Sequence, residues 1–120
     1  MTIKSIITVP DPILKTVSKP VDKVDKNTRI LMDDMLETMY DAPGIGLAAI
    51  QIGVALRVIV MDIAWKKEDA KREPKFFINP EISNQSKETA IYEEGCLSIP
   101  NQYAEIERSA TCTVKYLDYN

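Results

Sequence analysis

Two short segments of the chain hold residues that could carry chemistry. In the first, residues 44–53 (GIGLAAIQIG), small and apolar residues surround one polar side chain, that of Gln51. A buried amide has to form hydrogen bonds, so Gln51 is either a structural bridge or a donor aimed at a ligand, and the composition alone favours the bridge. The segment lacks the GxGxxG spacing and the lysine of a P-loop, which favours a close-packed turn over phosphate binding.

The second segment, residues 93–100 (EEGCLSIP), centres on Cys96. Three interpretations stay open: a buried free thiol in a turn, a catalytic nucleophile, or a thiolate metal ligand. A buried thiol is the commonest state of a free cysteine. A nucleophilic thiol normally needs a base, most often histidine, and a metal site needs several ligands. The chain contains no histidine, so neither kind of reactive site can be completed from these residues alone.

Helix signals precede the first segment. An Asp-Pro pair at residues 11–12 has the residue types of a helix start, and Pro20 closes this short helix. A longer amphipathic helix is predicted over residues 28–40, capped by Asp25 or Asn27. Three methionines lie on its apolar face, where they are expected to fill the core.

Strand signals follow the helix. The apolar run at residues 57–62 predicts a buried strand, and residues 64–75 predict a charged surface loop. Further short strands are predicted at residues 76–79, 88–92, 103–108 and 111–119. Cys112, in the last of these, is expected to pack in the core. One amphipathic helix beside short, largely antiparallel strands indicates an α+β fold, with residues 1–120 as a single domain.

Composition and charge exclude several classes of function. The 120 residues are 45% hydrophobic and 28% charged, as in ordinary globular proteins, and their net charge is −3. That charge gives no electrostatic basis for binding nucleic acid or an anionic membrane. The chain has no apolar run of the roughly 18 residues that a membrane span needs, and its start lacks a signal peptide's apolar stretch. We therefore expect a cytoplasmic protein in which Cys96 and Cys112 stay unpaired.

Together, the two segments resemble one enzyme family. Gly-x-Gly-x-Ala-Ala-x-Gln at residues 44–51 and Glu-Gly-Cys-Leu-Ser at residues 94–98 are similar, in order and separation, to the first two of the three sequence signatures of peptide deformylases. Pro-Asp-Pro-x-Leu at residues 10–14, Met-x-x-Thr-Met-Tyr at residues 35–40 and VKYLDYN at residues 114–120 resemble that family as well. The resemblance covers essentially the whole chain.

The resemblance implies a metal-dependent hydrolase that removes the formyl group from the N-terminal formylmethionine of newly synthesised proteins. Cys96 matches the family's cysteine ligand to a divalent metal, Fe²⁺ in the cell with Zn²⁺, Ni²⁺ or Co²⁺ as substitutes. Gln51, through its side-chain amide, and Leu97, through its backbone N–H, match the donors to the oxygen that becomes negative during hydrolysis. This role of Gln51 outweighs the purely structural interpretation.

The same resemblance implies the substrate-binding residues and the partners. An extended N-formylmethionyl nascent peptide would add as a strand beside Ile45, Gly46 and the Glu94-Gly95 pair. Ile45 and Tyr92 would contribute to the apolar pocket for the methionine side chain. Transient association with ribosomes is expected, without a direct nucleic-acid or membrane site.

The departure from the family lies in its third signature. His-Glu-x-x-His, which supplies two histidine ligands and the glutamate that moves the proton, is absent from these residues. Because the last residues also resemble the approach to a hairpin turn, we expect the intact protein to continue beyond Asn120 and this chain alone to be inactive. Tyr103, where many relatives have arginine, argues against a salt-bridged cap on the substrate.

Two other interpretations remain. A non-catalytic deformylase-like peptide-binding module would contain these residues without the third signature. A cysteine hydrolase that uses Cys96 would be inhibited by alkylating agents and would be indifferent to chelators.

Overall fold

The protein, as a computed structural model, is described at residues 2–66 and 71–119. These residues form one α-helix, six β-strands and two short 3₁₀ helices, Pro12–Lys15 and Ala49–Ile52. The helix is α1 (Lys26–Asp41), and the strands are β1 (Gly46–Ala48), β2 (Val58–Met61), β3 (Lys75–Ser83), β4 (Thr89–Cys96), β5 (Ile99–Ser109) and β6 (Thr113–Leu117). No helix within the described ranges is both long enough and apolar enough to cross a membrane.

Helix α1 forms where it was predicted, with two more residues at its start and one more at its end. The carboxylate of Asp25 accepts a hydrogen bond from the backbone N–H of Thr28 at 3.0 Å, so Asp25 is the N-cap. This bond is the main reason that the pKa of Asp25 lies below its usual value. Met32, Met35 and Met39 are 0% exposed, which confirms that the methionines fill the core.

The strands form two antiparallel sheets. One has four strands in the order β1-β2-β3-β6, and β4 and β5 form a separate two-stranded ribbon. Helix α1 packs against β1 and β2, where Leu47, Val58 and Val60 are buried with the helix methionines and with Ile78 of β3. The predicted buried strand at residues 57–62 is β2. The α+β fold is confirmed.

Residues 44–53 were expected to form a turn, and that prediction was wrong for the middle of the segment. Gly46–Ala48 form β1, which pairs with β2 from Gly46 opposite Met61 to Ala48 opposite Ile59. The 3₁₀ helix follows and ends at Gly53, whose φ of 88° favours glycine. Strand β1 was not predicted because glycine and alanine have low strand propensity, whereas β-branched and aromatic side chains have a high one.

Two further predictions need correction. Strand β3 continues to Ser83 instead of ending at Asn79, because the pairing shifts register between Ile78 and Glu81 and Asn79 adopts a φ of 51°. Cys112 is exposed and lies before β6, not in the core. The alternation of residue types at 111–119 predicted a strand with one buried face, but every residue of β6 is exposed.

Residues 67–70 of the predicted charged loop and Asn120 of the predicted turn lie outside the described residues.

A buried carboxylate joins α1 to the segment after β2. Asp62 is 1% exposed and accepts hydrogen bonds from the Tyr40 hydroxyl at 2.6 Å and from the backbone N–H groups of Ala64, Trp65 and Glu73 at 3.0, 3.2 and 2.8 Å. Burial raises the pKa of Asp62, but the hydrogen bonds outweigh it and hold that pKa below its usual value. Burial and the bond to Asp62 raise the pKa of Tyr40 to about 12. At neutral pH the pair is a carboxylate and a neutral phenol donor.

Asp62→Asn should lower the free energy of unfolding by about 1.5–3 kcal/mol at pH 7, because the buried donors lose a charged acceptor. The pKa of Asp62 is lower in the folded than in the unfolded state, so its stabilisation is present above about pH 4 and is lost as the pH falls through the folded pKa. Denaturant unfolding of both proteins should show a difference that narrows below about pH 4. A difference independent of pH would contradict an ionised Asp62.

Candidate active site

The two segments singled out from the sequence meet at a cavity of about 690 Å³. The cavity lies between β1, the end strand of its sheet, and the turn end of the β4–β5 ribbon. Six of the eight predicted site residues line it: Ile45, Gly46, Gln51, Gly95, Cys96 and Leu97. The structure therefore brings together residues that are distant in the sequence.

The side chain of Gln51 is held in one orientation. Its Oε1 accepts a hydrogen bond from the backbone N–H of Ala48 at 2.9 Å. Its Nε2 donates to Ser98 Oγ at 3.0 Å and to Cys96 Sγ at 3.5 Å. Because only the amide oxygen can accept from a backbone N–H, the NH₂ group must face Cys96 and Ser98. Gln51 is thus both a structural bridge and a donor directed at the thiol.

Cys96 lies at the end of a hairpin. It is the last residue of β4, four residues beyond the predicted end of that strand, and it pairs with Ile99 in β5. Leu97 and Ser98 are therefore the two-residue turn, so the N–H of Leu97 lies outside the pairing of β4 with β5. A Cβ on Gly44 would lie 2.7 Å from Leu97 Cδ1, so the turn packs closely against Gly44, and a larger residue at this position would displace the Leu97 side chain.

The N-terminal segment holds both signature segments by their backbones. The N–H of Ile7 donates to the carbonyl of Gln51 at 2.7 Å, and the N–H of Val9 donates to the carbonyl of Ser98 at 2.8 Å. This role was not predicted from the sequence, because main-chain contacts leave no pattern of residue types. The run IITV at residues 6–9, rich in β-branched residues, was the available signal for an extended segment.

The free edge of β1 presents backbone groups to the cavity. The N–H of Asp62 donates to the carbonyl of Ile45 at 2.9 Å, so this carbonyl faces β2. The alternation of an antiparallel ladder then turns the N–H and C=O of Gly46 away from β2. Gly46 is exposed and lines the cavity. An extended peptide could pair with these two groups.

Tyr92 and Glu94 do not line this cavity. Successive strand residues face opposite sides of a sheet, so both side chains lie on the other side of β4 from that of Glu93, which lines the cavity. Tyr92 is 71% exposed. Glu94 accepts two hydrogen bonds from Arg108 at 2.7 and 2.8 Å, which lower the pKa of Glu94 and raise that of Arg108. Substrate contacts of these two residues stay predictions.

Cys96 is the described residue that fits a metal ligand in the cavity. Its thiol is exposed and lies beside a fixed amide donor, as one ligand of an open catalytic site would. Across residues 2–66 and 71–119, no three His, Cys, Asp or Glu side chains are grouped so that they could hold a metal ion. Since the sequence has no histidine, histidine ligands would have to come from outside these 120 residues.

Comparison with known proteins agrees with this arrangement. The polypeptide deformylase family model matches residues 3–120. The peptide deformylase of Pelagibacter ubique is 59% identical over 120 residues, which is 100% of this chain and 69% of that protein. The peptide deformylase of Hyphomonas neptunium is 61% identical over 121 residues, covering 100% of this chain and 68% of that protein.

A solved structure gives the same result for the fold. The crystal structure of peptide deformylase from Ehrlichia chaffeensis in complex with actinonin matches with a TM-score of 0.92 and 44% sequence identity, covering 100% of this chain and 71% of that one. The two signature segments meet at one cavity, and family, sequence and structure comparisons coincide over nearly all residues. The chain belongs to the peptide deformylase family of hydrolases.

Proposed function

We propose that this chain supplies the cysteine ligand, two oxyanion donors and the substrate-docking edge of a metal-dependent deformylase. The reaction is hydrolysis of the N-formyl group on the N-terminal formylmethionine of newly synthesised proteins. The observation that carries the proposal is the orientation of Gln51. With Oε1 bonded to Ala48, its amide donor is fixed 3.5 Å from the exposed thiol of Cys96.

The proposed cofactor is a divalent metal, Fe²⁺ in the cell, with Zn²⁺, Ni²⁺ or Co²⁺ as substitutes. Such an ion lowers the pKa of water and polarises a carbonyl group. Cys96 would be the thiolate ligand, and two histidines from outside these 120 residues would complete the protein ligands. Cys96 ends a paired strand, and the bond from Val9 to the Ser98 carbonyl anchors the turn beside it. The ligand is therefore held in place by the fold of this chain.

Gln51 and Leu97 would stabilise the oxygen that gains negative charge as water adds to the formyl carbon. A donor fixed in advance at such an oxygen contributes about 3–4 kcal/mol to catalysis. The Gln51 amide is anchored by Ala48, and the Leu97 N–H is held by the two-residue turn and by the packing of Leu97 on Gly44. Neither donor has to reorganise during the reaction. The proton transfer belongs to the glutamate of the family's third signature.

The substrate would bind as an extended peptide between β1 and the ribbon. The free N–H and C=O of Gly46 would pair with its backbone, with Gly95 on the opposite wall. Ile45, which is 49% exposed, offers apolar surface for the methionine side chain. Tyr92 and Glu94 face the other side of β4, where Glu94 would stabilise the ribbon through its ion pair with Arg108 and Tyr92 would contact a substrate only outside this cavity. Nascent peptides leaving cytoplasmic ribosomes would be the natural partners.

A non-catalytic peptide-binding module is the second candidate. The free edge of β1 favours it, because the cavity beside that edge could bind an extended peptide without hydrolysing it. The two candidates differ in whether formate is released.

Cys96→Ala in the metal-loaded enzyme tests the function, with Cys112→Ala as the matched control. Cys96→Ala should remove the metal and abolish hydrolysis of formyl-Met-Ala-Ser, because the thiolate ligand is lost. Cys112 is exposed and outside the cavity, so Cys112→Ala should keep its metal and its rate and change the free energy of unfolding by less than about 0.5 kcal/mol. Metal analysis and formate release are the measurements.

The outcomes of that experiment separate the candidates. An intact wild-type protein, with any segment that continues beyond Asn120, that binds Met-Ala-Ser and releases no formate with any of the four metals would establish the peptide-binding module. Activity that survives chelators and is lost on alkylation would establish a cysteine hydrolase. Equal loss of metal in both variants would show that the two cysteines share a site, contrary to the assignment of Cys96 alone.

Gln51→Glu and Gln51→Leu separate the two roles of the glutamine. Glutamate keeps an oxygen for Ala48 and lacks the N–H donor, whereas leucine removes both groups. In both variants kcat should fall by about 10²–10³-fold with KM nearly unchanged, because the donor acts on the transition state. Only Gln51→Leu should also lose about 1–3 kcal/mol of stability, because the Ala48 N–H loses its acceptor. A destabilised but fully active Gln51→Leu would remove Gln51 from the mechanism.

A further inference from the structure

Ser98 is a buried polar residue in the hairpin turn beside the exposed thiol of Cys96. Only 3% of its surface is exposed, and its side chain does not line the cavity. Its backbone carbonyl accepts a hydrogen bond from the N–H of Val9 at 2.8 Å, so the main chain holds Ser98 in place. Because Ser98 lies behind the cavity wall, it can influence the chemistry only through a neighbouring residue.

That neighbour is Gln51, whose amide nitrogen carries two protons and has two acceptors. Nε2 lies 3.0 Å from Ser98 Oγ and 3.5 Å from Cys96 Sγ. The first distance is that of an ordinary N–H···O hydrogen bond, whereas sulfur is a weak acceptor. One proton is therefore committed to Ser98. The other faces the thiol, where the oxygen of a bound formyl group could take it.

The bond to Ser98 fixes the plane of the Gln51 amide. The bond from the Ala48 N–H to Oε1 selects the end of the amide that faces the ribbon. A single hydrogen bond still permits rotation about it, because the last torsion of a glutamine side chain has a broad energy minimum. Attachment at the nitrogen as well as at the oxygen removes this rotation. The direction of the remaining N–H is then determined.

We propose that Ser98 is a positioning residue, which binds one proton of the Gln51 amide and so directs the other at the oxyanion. The inference rests on the proposed deformylase function and deepens it, because it names the residue that orients one of the two oxyanion donors. The two-residue turn would then serve both donors. Leu97 acts through its own N–H, and Ser98 acts through Gln51.

Ser98→Ala in the metal-loaded intact enzyme tests this role, because it removes the hydroxyl and keeps the carbonyl that Val9 bonds. Without Ser98 Oγ the Gln51 amide can rotate, and its donor meets the oxyanion in fewer of the bound complexes. For formyl-Met-Ala-Ser, kcat should fall about 5–10-fold, the effect of one neutral hydrogen bond. KM and the bound metal should stay within about twofold of wild type, because the donor acts on the transition state.

A double variant shows whether Ser98 acts through Gln51. In Gln51→Leu/Ser98→Ala, kcat should match that of Gln51→Leu alone within about twofold, because no amide is left to orient. A residue that supported the turn or the fold independently of Gln51 would instead lower kcat by the same factor in both backgrounds.

The side-chain amide signals of Gln51 give a measurement that needs no turnover. In the nuclear magnetic resonance spectrum of the intact Zn²⁺-loaded protein, the amide proton bonded to Ser98 should lie downfield and exchange slowly with water. Ser98→Ala should move this signal upfield and accelerate its exchange, because the proton loses its acceptor.

Thr38→Val is the matched control for loss of a buried hydroxyl. Thr38 is 1% exposed and lies outside the cavity lining, and its Oγ1 accepts from the N–H of Lys4 at 2.8 Å and donates to the carbonyl of Asp34 at 2.7 Å. Thr38→Val should lower the thermal unfolding temperature and leave kcat and the Gln51 amide signals unchanged. This combination would assign the effect of Ser98→Ala to the orientation of Gln51.

Three outcomes would overturn the role of Ser98 and leave the proposed function standing. The first is an unchanged kcat in Ser98→Ala. The second is an equal loss of kcat from Ser98→Ala in the wild-type and Gln51→Leu backgrounds. The third is loss of bound metal from Ser98→Ala, which would place its effect at Cys96. A metal-loaded intact wild-type protein that releases no formate would instead contradict the deformylase function itself.

Discussion

The hydrogen bonds of one side-chain amide, that of Gln51, set the geometry on which the cavity depends. They join residues 45 positions apart, with the oxygen on the edge of β1 and the nitrogen on the hairpin that carries Cys96. A planar amide holds its acceptor and its donor in one plane at a fixed angle, so the Ala48 bond determines where the NH₂ group points. The same contact that stabilises the fold also aims a donor at the thiol.

The width of the cavity depends on few contacts. A two-stranded ribbon has little stability of its own, so the β4–β5 hairpin takes its position from the elements that it touches. At its turn these are the Gln51 side chain, the packing of Leu97 on Gly44 and the bond from Val9 to Ser98. On the ribbon, all three contacts are made by Leu97 or Ser98, the two residues that follow Cys96. The strongest restraints on the ribbon are therefore concentrated where the chemistry requires accuracy.

The parts of the structure that were predictable from the sequence are those with a repeating or residue-specific signal. The apolar spacing of α1 and the acidic N-cap at Asp25 identified the helix, and the signature residues identified the cavity. Strand β1 was missed because glycine and alanine carry no strand signal, although it pairs with β2 along its whole length. The N-terminal contacts of Ile7 and Val9 use backbone groups alone, which any residue except proline provides.

Position in the sheet explains the remaining errors. Cys112 was placed in the core because its neighbours alternate in character, yet alternation reports only that two faces differ. The alternation does not show whether a helix or another sheet packs on either face of the strand. Asp62 stands outside the signatures, and its importance follows from contacts with α1 and with the segment after β2. Such contacts depend on the tertiary fold, so a single sequence does not show them.

The sulfur-rich face of α1 ties the fold to the redox state of its surroundings. Met32, Met35 and Met39 are sealed from solvent in the native protein, so oxidants reach their thioethers only after the chain opens. Oxidation then converts each apolar side chain into a polar sulfoxide, which has no partner in a core lined by Leu47, Val58 and Val60. An unfolding event that would otherwise reverse then persists until the methionine sulfoxide is reduced. Methionine sulfoxide reductases, by restoring the thioether, would return such chains to the folded pool.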